Sequence, residues 1–366
     1  MNKRLVLILR YFTVGGLERV VLSHVRLFKE QGYDVTVCVL EPGRDNALVS
    51  ELDPAIRLVV LPRRRISRIR ALRQVVDGAV VLIHFGDGRL YPSLRPGLTT
   101  ARTVVRFCHS DYSHLRFALK NRLDRVLARQ EDLVVAVGGR STHFLTEDVH
   151  VPAEKVTTLV NAVDTSVPPS RCPAPWPWAE EPYLVAVQSL YPHKGHDSLL
   201  QGFAAVVGQL PNARLVVVGD GSETINLFRQ AARLGIQDRI TWLGALWQRD
   251  IMDTVLGSAA AFVSMSRFEG VPISVLEARR HGLPLLLSDI PGHRDAAGSN
   301  TTFVPVDDTD AFARHAVTLL RGPSARTEQA DLADLGGSWE EYRRGLLGIV
   351  ERAWTLRQPV GPGRPR

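Results

Sequence analysis

The chain has 366 residues, of which 45% are hydrophobic and 23% charged, and its formal net charge is +7. This length exceeds what one hydrophobic core usually organises, so we expect two domains, and the composition excludes a disordered, fibrous or collagen-like protein. The first apolar run, Leu5–Leu9, is shorter than a signal-peptide core, and no later run approaches the roughly 20 apolar residues that cross a bilayer, which predicts a soluble cytoplasmic protein.

The positive charge is concentrated in the first half of the chain. Residues 1–168 contain 25 Lys and Arg against 17 Asp and Glu, whereas the remaining chain contains 20 against 21. This asymmetry indicates that the first half meets something anionic, such as a phosphate, a membrane surface or nucleic acid. Cys38, Cys108 and Cys172 fit neither a zinc pattern nor an even-numbered disulfide framework, so we expect ordinary buried thiols.

Short β-branched runs alternate with longer stretches of helical spacing, which is typical of repeated βαβ units around parallel sheets. In the first half we expect strands at Arg4–Leu9, Asp34–Leu40, Arg57–Leu61, Val80–His84, Thr103–Cys108, Leu133–Val137 and Val156–Leu159. In the second half we expect them at Tyr183–Val187, Arg214–Val218, Ile240–Leu243, Ala260–Ser264, Leu285–Leu287 and Thr302–Val304. The predicted fold class is α/β, with two doubly wound Rossmann-like domains that face each other across a cleft.

Five prolines between Val167 and Trp178 forbid a regular helix and remove backbone donors, so we predict a linker at 167–178. The predicted domains are then residues 1–166 and 179–337. A final helix over 338–358 is expected to cross back onto the first domain, and residues 359–366 are too poor in apolar residues to dock, which predicts a flexible tail. The apolar stripe of that helix comprises Trp339, Tyr342, Leu346, Leu347, Val350 and Trp354.

The most informative segment is Ser264–Ala278, which follows a predicted strand. Pro272 is favoured at the first position of a helix, so we expect a helix to begin there, at the carboxyl end of the strand. Free backbone amides at a helix start, beside the positive end of the helix dipole, suit a phosphate or a ring of sugar hydroxyls. The segment expected to make this contact comprises Gly270, Val271, Pro272, Ile273 and Ser274.

Two glutamates flank this helix start. Glu269 lies just before it and Glu277 lies about one and a half turns inside it, so the two carboxylates can contact different parts of one ligand. A purely structural Glu269 is the alternative, because the helix dipole stabilises a glutamate at such a position. Gly270 favours ligand contact, since a glutamate that only pairs with the dipole does not require the close backbone approach that glycine permits.

Lys194 is a second candidate for anion binding. It is the only lysine after Lys155 in a chain that otherwise prefers arginine, and it lies in the loop between Tyr183–Val187 and the helical run His196–Leu210. A compact ammonium on a flexible stem suits a diphosphate, although a solvated loop lysine is the alternative.

In the first half, Gly15 and Gly16 follow the first predicted strand. Paired glycines let the main chain approach a phosphate or sugar, but the pair is equally consistent with a tight turn. His84 and His109 lie at the ends of two further predicted strands, so we expect them at the same sheet edge as the glycines. Either could hydrogen-bond a sugar hydroxyl, while a structural role is the commoner explanation for a lone histidine.

Two basic patterns in the first half read as amphipathic helices. A solvated face is the commoner explanation, but an anionic membrane surface or a phosphorylated acceptor is the functional alternative. Nucleic acid is not expected, because aromatics are not interleaved and no nucleic-acid module occurs. The first pattern contains Arg63, Arg64, Arg65, Arg68, Arg70 and Arg73 with Ile66, Ile69 and Leu72, and the second contains Arg116, Lys120, Arg122, Arg125 and Arg129.

Together these motifs resemble the retaining GT-B glycosyltransferases of family 4, in order from about Leu5 to Val306. The most specific element is Glu269–Ala278 with the following Gly282-Leu283-Pro284, and Asn161-Ala-Val-Asp164 supports it. The other matching residues are Gly15, Gly16, His109, Lys194, Gly195 and Val218-Gly-Asp-Gly221.

The resemblance implies that the second domain binds a nucleotide-diphosphate sugar. Glu277 would hold the ribose hydroxyls, and Lys194 with the amides after Gly270 would hold the diphosphate. Gly16 would approach this group from the first domain, which would bind the acceptor hydroxyl of a lipid-linked sugar, a glycan or a small molecule.

The resemblance also assigns the catalytic residues. Glu269 would contact the donor sugar, and His109 would address a hydroxyl near the reacting carbon. Backbone dipoles and an ammonium can stabilise the departing diphosphate without a metal or cofactor, and we predict retention of configuration. One departure stands out: where the family usually has Gly-Arg before the lysine, this chain has Gln188-Ser189, so the arginine that assists the diphosphate is absent.

Three rival functions stay open. A glycoside hydrolase could use Glu269 and Glu277 as acid and base, although amides suited to phosphate argue against it. A metal-dependent transferase would need an Asp-x-Asp motif; Asp308-Thr-Asp310 has the letters, but we interpret it as a helix cap. A non-catalytic nucleotide-sugar-binding protein is the third. For a transferase, we expect cell-surface polysaccharide or glycolipid assembly at the inner membrane face, with a small secondary metabolite as the alternative acceptor.

Overall fold

The computed structural model describes residues 3–13, 15–41, 47–85, 94–109, 126, 131–170, 172, 181–322 and 329–356. The chain divides into two compact units, Met1–Val160 with Glu340–Arg366, and Asn161–Trp339. Each unit contains a parallel sheet in doubly wound order, which confirms the predicted α/β class with two Rossmann-like domains. The predicted tail at 359–366 and most of the predicted linker at 167–178 lie outside the described residues.

The first unit is built on a seven-stranded parallel sheet of order β3-β2-β1-β4-β5-β6-β7. Its central strands are buried on both faces, as expected for a parallel sheet covered by helices on each side. The strands are β1 Arg4–Leu9, β2 Asp34–Val39, β3 Arg57–Val60, β4 Val80–Ile83, β5 Thr103–Cys108, β6 Leu133–Ala136 and β7 Val156–Thr158.

The second unit is built on a six-stranded parallel sheet of order β10-β9-β8-β11-β12-β13. All thirteen observed strands begin and end within one residue of their predicted bounds, because each is a short apolar run between clear breakers. The strands are β8 Tyr183–Val187, β9 Arg214–Val218, β10 Ile240–Gly244, β11 Ala261–Ser264, β12 Leu285–Ser288 and β13 Thr301–Val304.

The helices connect these strands and cover the sheets. A π-helical turn, Phe144–Asp148, extends one of them. The short 3₁₀ turns are Ala47–Glu51, Arg95–Gly97, Ala153–Lys155, Pro192–Lys194 and Gln237–Arg239. The α-helices are Gly16–Glu30, Arg65–Val76, Gly139–His143, His196–Gln209, Thr224–Arg233, Arg249–Ser258, Ile273–Arg280, Pro291–Ala296, Thr309–Arg321 and Gln329–Leu356.

The first basic helix differs from its predicted pattern. The helix spans Arg65–Val76, but Ile66 is 67% exposed and does not belong to a buried stripe. The buried side chains are Leu72, Val75 and Val76, because only the second half of this helix packs on the sheet. The second basic pattern, with Arg116, Lys120, Arg122, Arg125 and Arg129, lies outside the described residues.

The final helix begins earlier than predicted, at Gln329, and ends at Leu356. From Glu340 onward it belongs to the first unit, where Thr103 donates a hydrogen bond to the Ala353 carbonyl at 2.7 Å. Its buried apolar side chains in this part include Leu346 and Val350, as predicted, together with Ile349 and Ala353. Leu347 and Trp354 are only half-buried.

The structure also tests the predicted roles of Asp308 and of the three cysteines. Asp308 is the N-cap of Thr309–Arg321 and accepts a hydrogen bond from the Ala311 amide at 2.8 Å, which confirms the helix-cap interpretation. The three cysteines are free thiols, but Cys172 is only half-buried, so the expectation of burial holds for Cys38 and Cys108 alone.

Candidate active site

The strand order of the second unit places the predicted binding residues at one sheet edge. β8 pairs with β9 on one side and with β11 on the other. The strand order therefore runs outward in opposite directions from the β8–β11 pair. Such switch points at the carboxyl edge are where doubly wound sheets bind ligands. Lys194 follows β8 and Glu269 follows β11, so the two loops that carry them meet there.

Lys194 and Glu269 form a direct ion pair. The Lys194 Nζ lies 2.6 Å from Glu269 Oε2, and the Glu269 side chain is only 7% exposed. Burial raises the pKa of Glu269, but the charge and hydrogen bond of Lys194 oppose this effect, and the pKa lies below its ordinary value. Glu269 is therefore ionised at neutral pH although it is buried.

The other oxygen of Glu269 is held by uncharged groups. Ser266 Oγ donates a hydrogen bond to Glu269 Oε1 at 2.8 Å, and Gln188 Nε2 lies 3.2 Å from the same oxygen. Gln188 Nε2 also lies 2.8 Å from both Ser264 Oγ and Ser266 Oγ. The glutamine that departs from the family pattern thus points toward the Glu269 carboxylate.

Three glycines let the loops of this edge approach one another closely. A Cβ on Gly195 would lie 1.9 Å from the Met265 carbonyl oxygen, and one on Gly219 would lie 1.8 Å from the Gln188 carbonyl oxygen. A Cβ on Gly292 would lie 2.0 Å from the Gly270 carbonyl oxygen. Gly195 also has a φ of 65°, which a residue with a side chain rarely adopts.

The helix after Glu269 starts one residue later than predicted. Pro272 is the N-cap, with an extended ψ of 120°, and the helix spans Ile273–Arg280. The amides of Ile273 and Ser274 thus lie in the first turn, where backbone donors have no partner within the helix. Pro272 fits either position because its φ of −72° suits both a helix and an extended residue.

Two further predicted residues lie close to this helix start. Glu277 lies inside the helix and is half-buried, and no described hydrogen bond joins it to Glu269. Asn161 donates a hydrogen bond from Nδ2 to the Val271 carbonyl oxygen at 3.2 Å, although the two residues are 110 positions apart. This contact brings the supporting motif beside the Glu269 loop. Gly270 is half-buried between Glu269 and Val271.

In the first unit, the glycine pair begins a helix. Gly15 is the N-cap of Gly16–Glu30, with an extended φ of −169°, and Gly16 is exposed. Glu18 lies in the first turn, where burial raises its pKa to about 7 against the opposing effect of a backbone hydrogen bond. The helix start therefore combines exposed main chain with a carboxyl group that titrates near neutral pH.

His109 follows β5 and belongs to a cluster of histidines. Its Nε2 lies 3.2 Å from His84 Nδ1, and the His24 ring lies 5.1 Å from that of His84. Burial lowers the pKa of His109 to about 4, so its imidazole is neutral at pH 7. His24 Nε2 in turn lies 2.5 Å from the hydroxyl of Tyr342 on the final helix.

The described residues contain neither a cluster of metal-binding side chains nor a helix that could span a membrane. No three His, Cys, Asp or Glu side chains among the described residues are grouped closely enough to hold a metal ion. Among the helices of the described ranges, none combines the length and apolarity that crossing a bilayer requires.

Comparison with known proteins identifies the family. The model of the Glycosyltransferase Family 4 matches residues 14–167, and that of the glycosyl transferases group 1 matches residues 174–333, so together they cover most of the chain. The chain belongs to the family 4, group 1 glycosyltransferases. The resemblance inferred from the motifs is confirmed.

Individual relatives of this glycosyltransferase are distant. An uncharacterized glycosyltransferase of Haemophilus influenzae is 24% identical over 96% of this chain and 98% of its own length. The UDP-Gal:alpha-D-GlcNAc-diphosphoundecaprenol alpha-1,3-galactosyltransferase of Escherichia coli is 21% identical over 82% of this chain and 83% of its own. The structure of Anabaena HepE in complex with UDP and glucose has a TM-score of 0.80 at 15% identity, covering 96% of this chain and all of that one.

Sequence reasoning missed several polar groups of this glycosyltransferase. Ser264, Ser266 and His293 lie behind Glu269, and each is fully buried. A serine at the end of a strand and a histidine after Pro-Gly are ordinary in sequence, so only Gln188, which replaces an expected glycine, could have signalled them. His24 lies mid-helix and carried no signal.

Proposed function

We propose that this glycosyltransferase moves a sugar from a nucleotide-diphosphate sugar to an acceptor hydroxyl without a metal ion and with retention of configuration. The observation that carries the proposal is the Lys194–Glu269 pair beside the start of Ile273–Arg280, at the switch point of the second sheet. Positive charge, free amides and a buried carboxylate occur there together, which are the groups that a departing diphosphate and a cationic sugar require.

The second unit would bind the donor. Lys194 and the amides of Ile273 and Ser274 would stabilise the negative charge that develops on the diphosphate as it leaves. Glu277, within the same helix, would hold the ribose hydroxyls. Ionised Glu269 would face the donor sugar and favour its oxocarbenium character, since a carboxylate attracts the developing positive charge.

The first unit would bind the acceptor. His109 is neutral at pH 7, so its ring can accept a hydrogen bond from a sugar hydroxyl. Gly15 and Gly16 would allow the main chain to approach the bound substrates. Gln188 and Ser189 leave the diphosphate without the arginine that is usual in the family, so Lys194 would be its main cationic side chain.

The acceptor is proposed to belong to cell-surface polysaccharide or glycolipid assembly. The Escherichia coli relative carries a diphosphoundecaprenol acceptor in its name, and a Rhizobium meliloti relative is named for lipopolysaccharide core biosynthesis. The helix Arg65–Val76 presents Arg65, Arg70 and Ile66 to solvent, a combination that suits an anionic membrane surface. We therefore place the enzyme in the cytoplasm, peripherally at the inner membrane face.

The donor can be identified by thermal shift with UDP, GDP, dTDP and ADP and with their sugars, because a bound ligand stabilises the folded state by mass action. We expect Glu277→Gln to weaken binding of the stabilising donor about tenfold, as loss of a charged hydrogen bond to ribose implies. Glu269→Gln should leave that binding within a few-fold and lower donor turnover at least about a hundredfold.

Glu181→Gln is the matched control. Glu181 is a half-exposed partner of Arg214 in the same unit, so its substitution should change neither quantity. Unchanged binding and turnover in both Glu269→Gln and Glu277→Gln would contradict the proposed function. Turnover should survive EDTA, and the anomeric proton coupling of the product should match that of the donor; an inverted product would refute retention.

A further inference from the structure

We propose that His293, Ser264 and Gln188 are positioning residues that fix the orientation of the Glu269 carboxylate through a buried relay of hydrogen bonds. The relay consists of Ser288, His293, Ser264, Gln188, Ser266 and Glu269. It rests on the proposed function, because it assigns these side chains a task in turnover through Glu269. The directions of its hydrogen bonds are fixed by its two ends, a backbone carbonyl and a carboxylate, which can only accept.

The relay begins at a backbone carbonyl, which fixes the histidine tautomer. His293 Nδ1 lies 2.7 Å from the Ser288 carbonyl oxygen, which can only accept, so Nδ1 carries a proton. His293 is completely buried, and burial lowers its pKa, which keeps the ring neutral. His293 Nε2 then carries a lone pair and lies 3.1 Å from Ser264 Oγ, so it is a nearer acceptor for the Ser264 hydroxyl proton than Ser266 Oγ at 3.3 Å.

The side-chain amide of Gln188 donates hydrogen bonds to both serines of the relay. Since Ser264 donates its proton to His293, its oxygen can only accept from Gln188 Nε2, at 2.8 Å. The second N–H of Gln188 points to Ser266 Oγ, also at 2.8 Å. Ser266 Oγ, which accepts this bond, donates its own proton to Glu269 Oε1 at 2.8 Å. The side-chain protons of the relay thus have defined acceptors.

The relay ends at a carboxylate whose two oxygens have different partners. Oε1 receives the Ser266 hydroxyl and Oε2 receives Lys194, so rotation about the last bond of Glu269 would break both contacts. The orientation of the Gln188 amide is also set, because the protons of Ser264 and Ser266 go to other acceptors and the nearby Glu269 Oε1 can only accept. Gln188 thus has a role that the family's glycine cannot have: its side chain donates hydrogen bonds to the groups that hold the Glu269 carboxylate.

The experiment measures hydrolysis of UDP-glucose, UDP-galactose, UDP-N-acetylglucosamine and GDP-mannose, with each single variant compared with the unchanged chain. Ser264→Ala removes the hydroxyl that joins His293 to Gln188, and we expect turnover of the preferred donor to fall about tenfold. KM for that donor should stay within about twofold, because the relay does not touch the diphosphate. Ser264→Thr, which keeps the hydroxyl, should recover most of the turnover.

Tyr183→Phe is the matched control. It removes another buried hydroxyl of the second unit, one that donates to the Val255 carbonyl at 2.7 Å at the opposite end of β8. We expect it to lower thermal stability about as much as Ser264→Ala and to leave turnover unchanged. Equal losses of turnover in the two variants would overturn the proposal, since they would reflect stability alone.

A double-mutant cycle separates the relay from the proposed function. In a Glu269→Gln background, Ser264→Ala should cause no further loss, because it acts through the carboxylate that is already gone. Independent, additive losses would overturn the relay while leaving the role of Glu269 intact. If Glu269→Gln itself does not lower turnover, the proposed function fails first. Should Ser264→Ala not fold, His293→Asn tests the same link, because its amide reaches only the Ser288 carbonyl.

Discussion

Lys194 and Glu269 are the residues on which the stability of the second unit and its proposed chemistry both depend. Glu269 is 7% exposed and Lys194 17% exposed at the side chain, so solvent screens their attraction weakly. A buried pair contributes little when compared with apolar residues of the same shape, but loss of one partner leaves a charge without compensation. Substitution of one partner alone should therefore change the unfolding free energy more than replacement of both by apolar residues.

Lys194→Met tests this point. We expect the unfolding free energy to fall by about 3 kcal/mol at pH 7, because Glu269 keeps its burial and loses its cation. Ionised Glu269, whose pKa lies below 4.5, contributes stability above that value and loses it as the pH falls. Without Lys194, burial raises the pKa of Glu269, so protonation relieves the unpaired buried charge and the stability deficit of Lys194→Met should shrink as the pH falls. Urea denaturation between pH 7 and 4 measures both effects.

Arg214→Met provides the comparison for that series. Arg214 pairs with Glu181 at 2.8 Å, but Glu181 is 49% exposed, and such surface pairs contribute roughly 0–1 kcal/mol. A similar, small loss in both variants would show that the Lys194–Glu269 pair behaves as a solvated contact, contrary to its burial.

At the scale of elements, the helix Pro291–Ala296 packs on the Glu269 loop through a glycine. A Cβ on Gly292 would lie 2.0 Å from the Gly270 carbonyl oxygen and 2.6 Å from that of Glu269. Backbone atoms cannot move as a flexible side chain can. Gly292→Ala should therefore displace this loop, lower the unfolding free energy by about 2 kcal/mol, and reduce donor turnover. Denaturation and steady-state kinetics would measure the two effects.

Gly208→Ala is the control for the glycine prediction. Gly208 lies within His196–Gln209, and a Cβ there would meet no described atom within 4 Å. We expect a gain of about 0.5–1 kcal/mol, since alanine is the better helix former. If Gly292→Ala proved as benign, the loop and the helix would be less tightly packed than their distance implies.

The elements differ in how far the sequence determines them. Strands such as Arg4–Leu9 could be predicted closely. Their side chains are apolar on both faces, so the run lacks the polar positions every three to four residues that an amphipathic helix shows. The predicted start of the helix Ile273–Arg280 was wrong by one residue, because the φ of Pro272 does not distinguish a cap from a first helical position. The Lys194–Glu269 contact could be placed at one sheet edge but not predicted as an ion pair, since 75 residues separate its members.

The relay was less accessible still. Ser264 ends β11, His293 lies in the helix Pro291–Ala296 and Gln188 follows β8, and the types of these residues do not reveal that they meet. Their relation depends on the β8–β11–β12 neighbourhood and on glycines that let the loops touch. Sequence periodicity specifies which residues are buried, but hydrogen-bond partners across a sheet edge depend on tertiary packing.

For the molecule as a whole, the chain returns to its first unit after completing the second. Residues of the final helix from Glu340 onward pack with the first unit, where Tyr342 contacts His24 and the Ala353 carbonyl accepts from Thr103. A Cβ on Gly345 would lie 2.7 Å from a methyl of Leu159, so the helix lies tightly against this unit. The stability of the first unit therefore depends on helix residues that begin at Glu340, far along the chain from Thr158, where the last strand of its sheet ends.

Leu346→Ala tests that dependence. Leu346 is completely buried, and truncation of such a leucine costs about 2–5 kcal/mol because it leaves a cavity. We expect amide hydrogen exchange to accelerate in peptides from β1, β4 and β5, and to stay unchanged in those from β8, β9 and β11. Arg344→Ala, at an exposed position of the same helix, should alter neither set. Faster exchange in both units would show that the chain opens as one cooperative body, whereas protection lost from the first unit alone would mean that its last helix completes a separately stable fold.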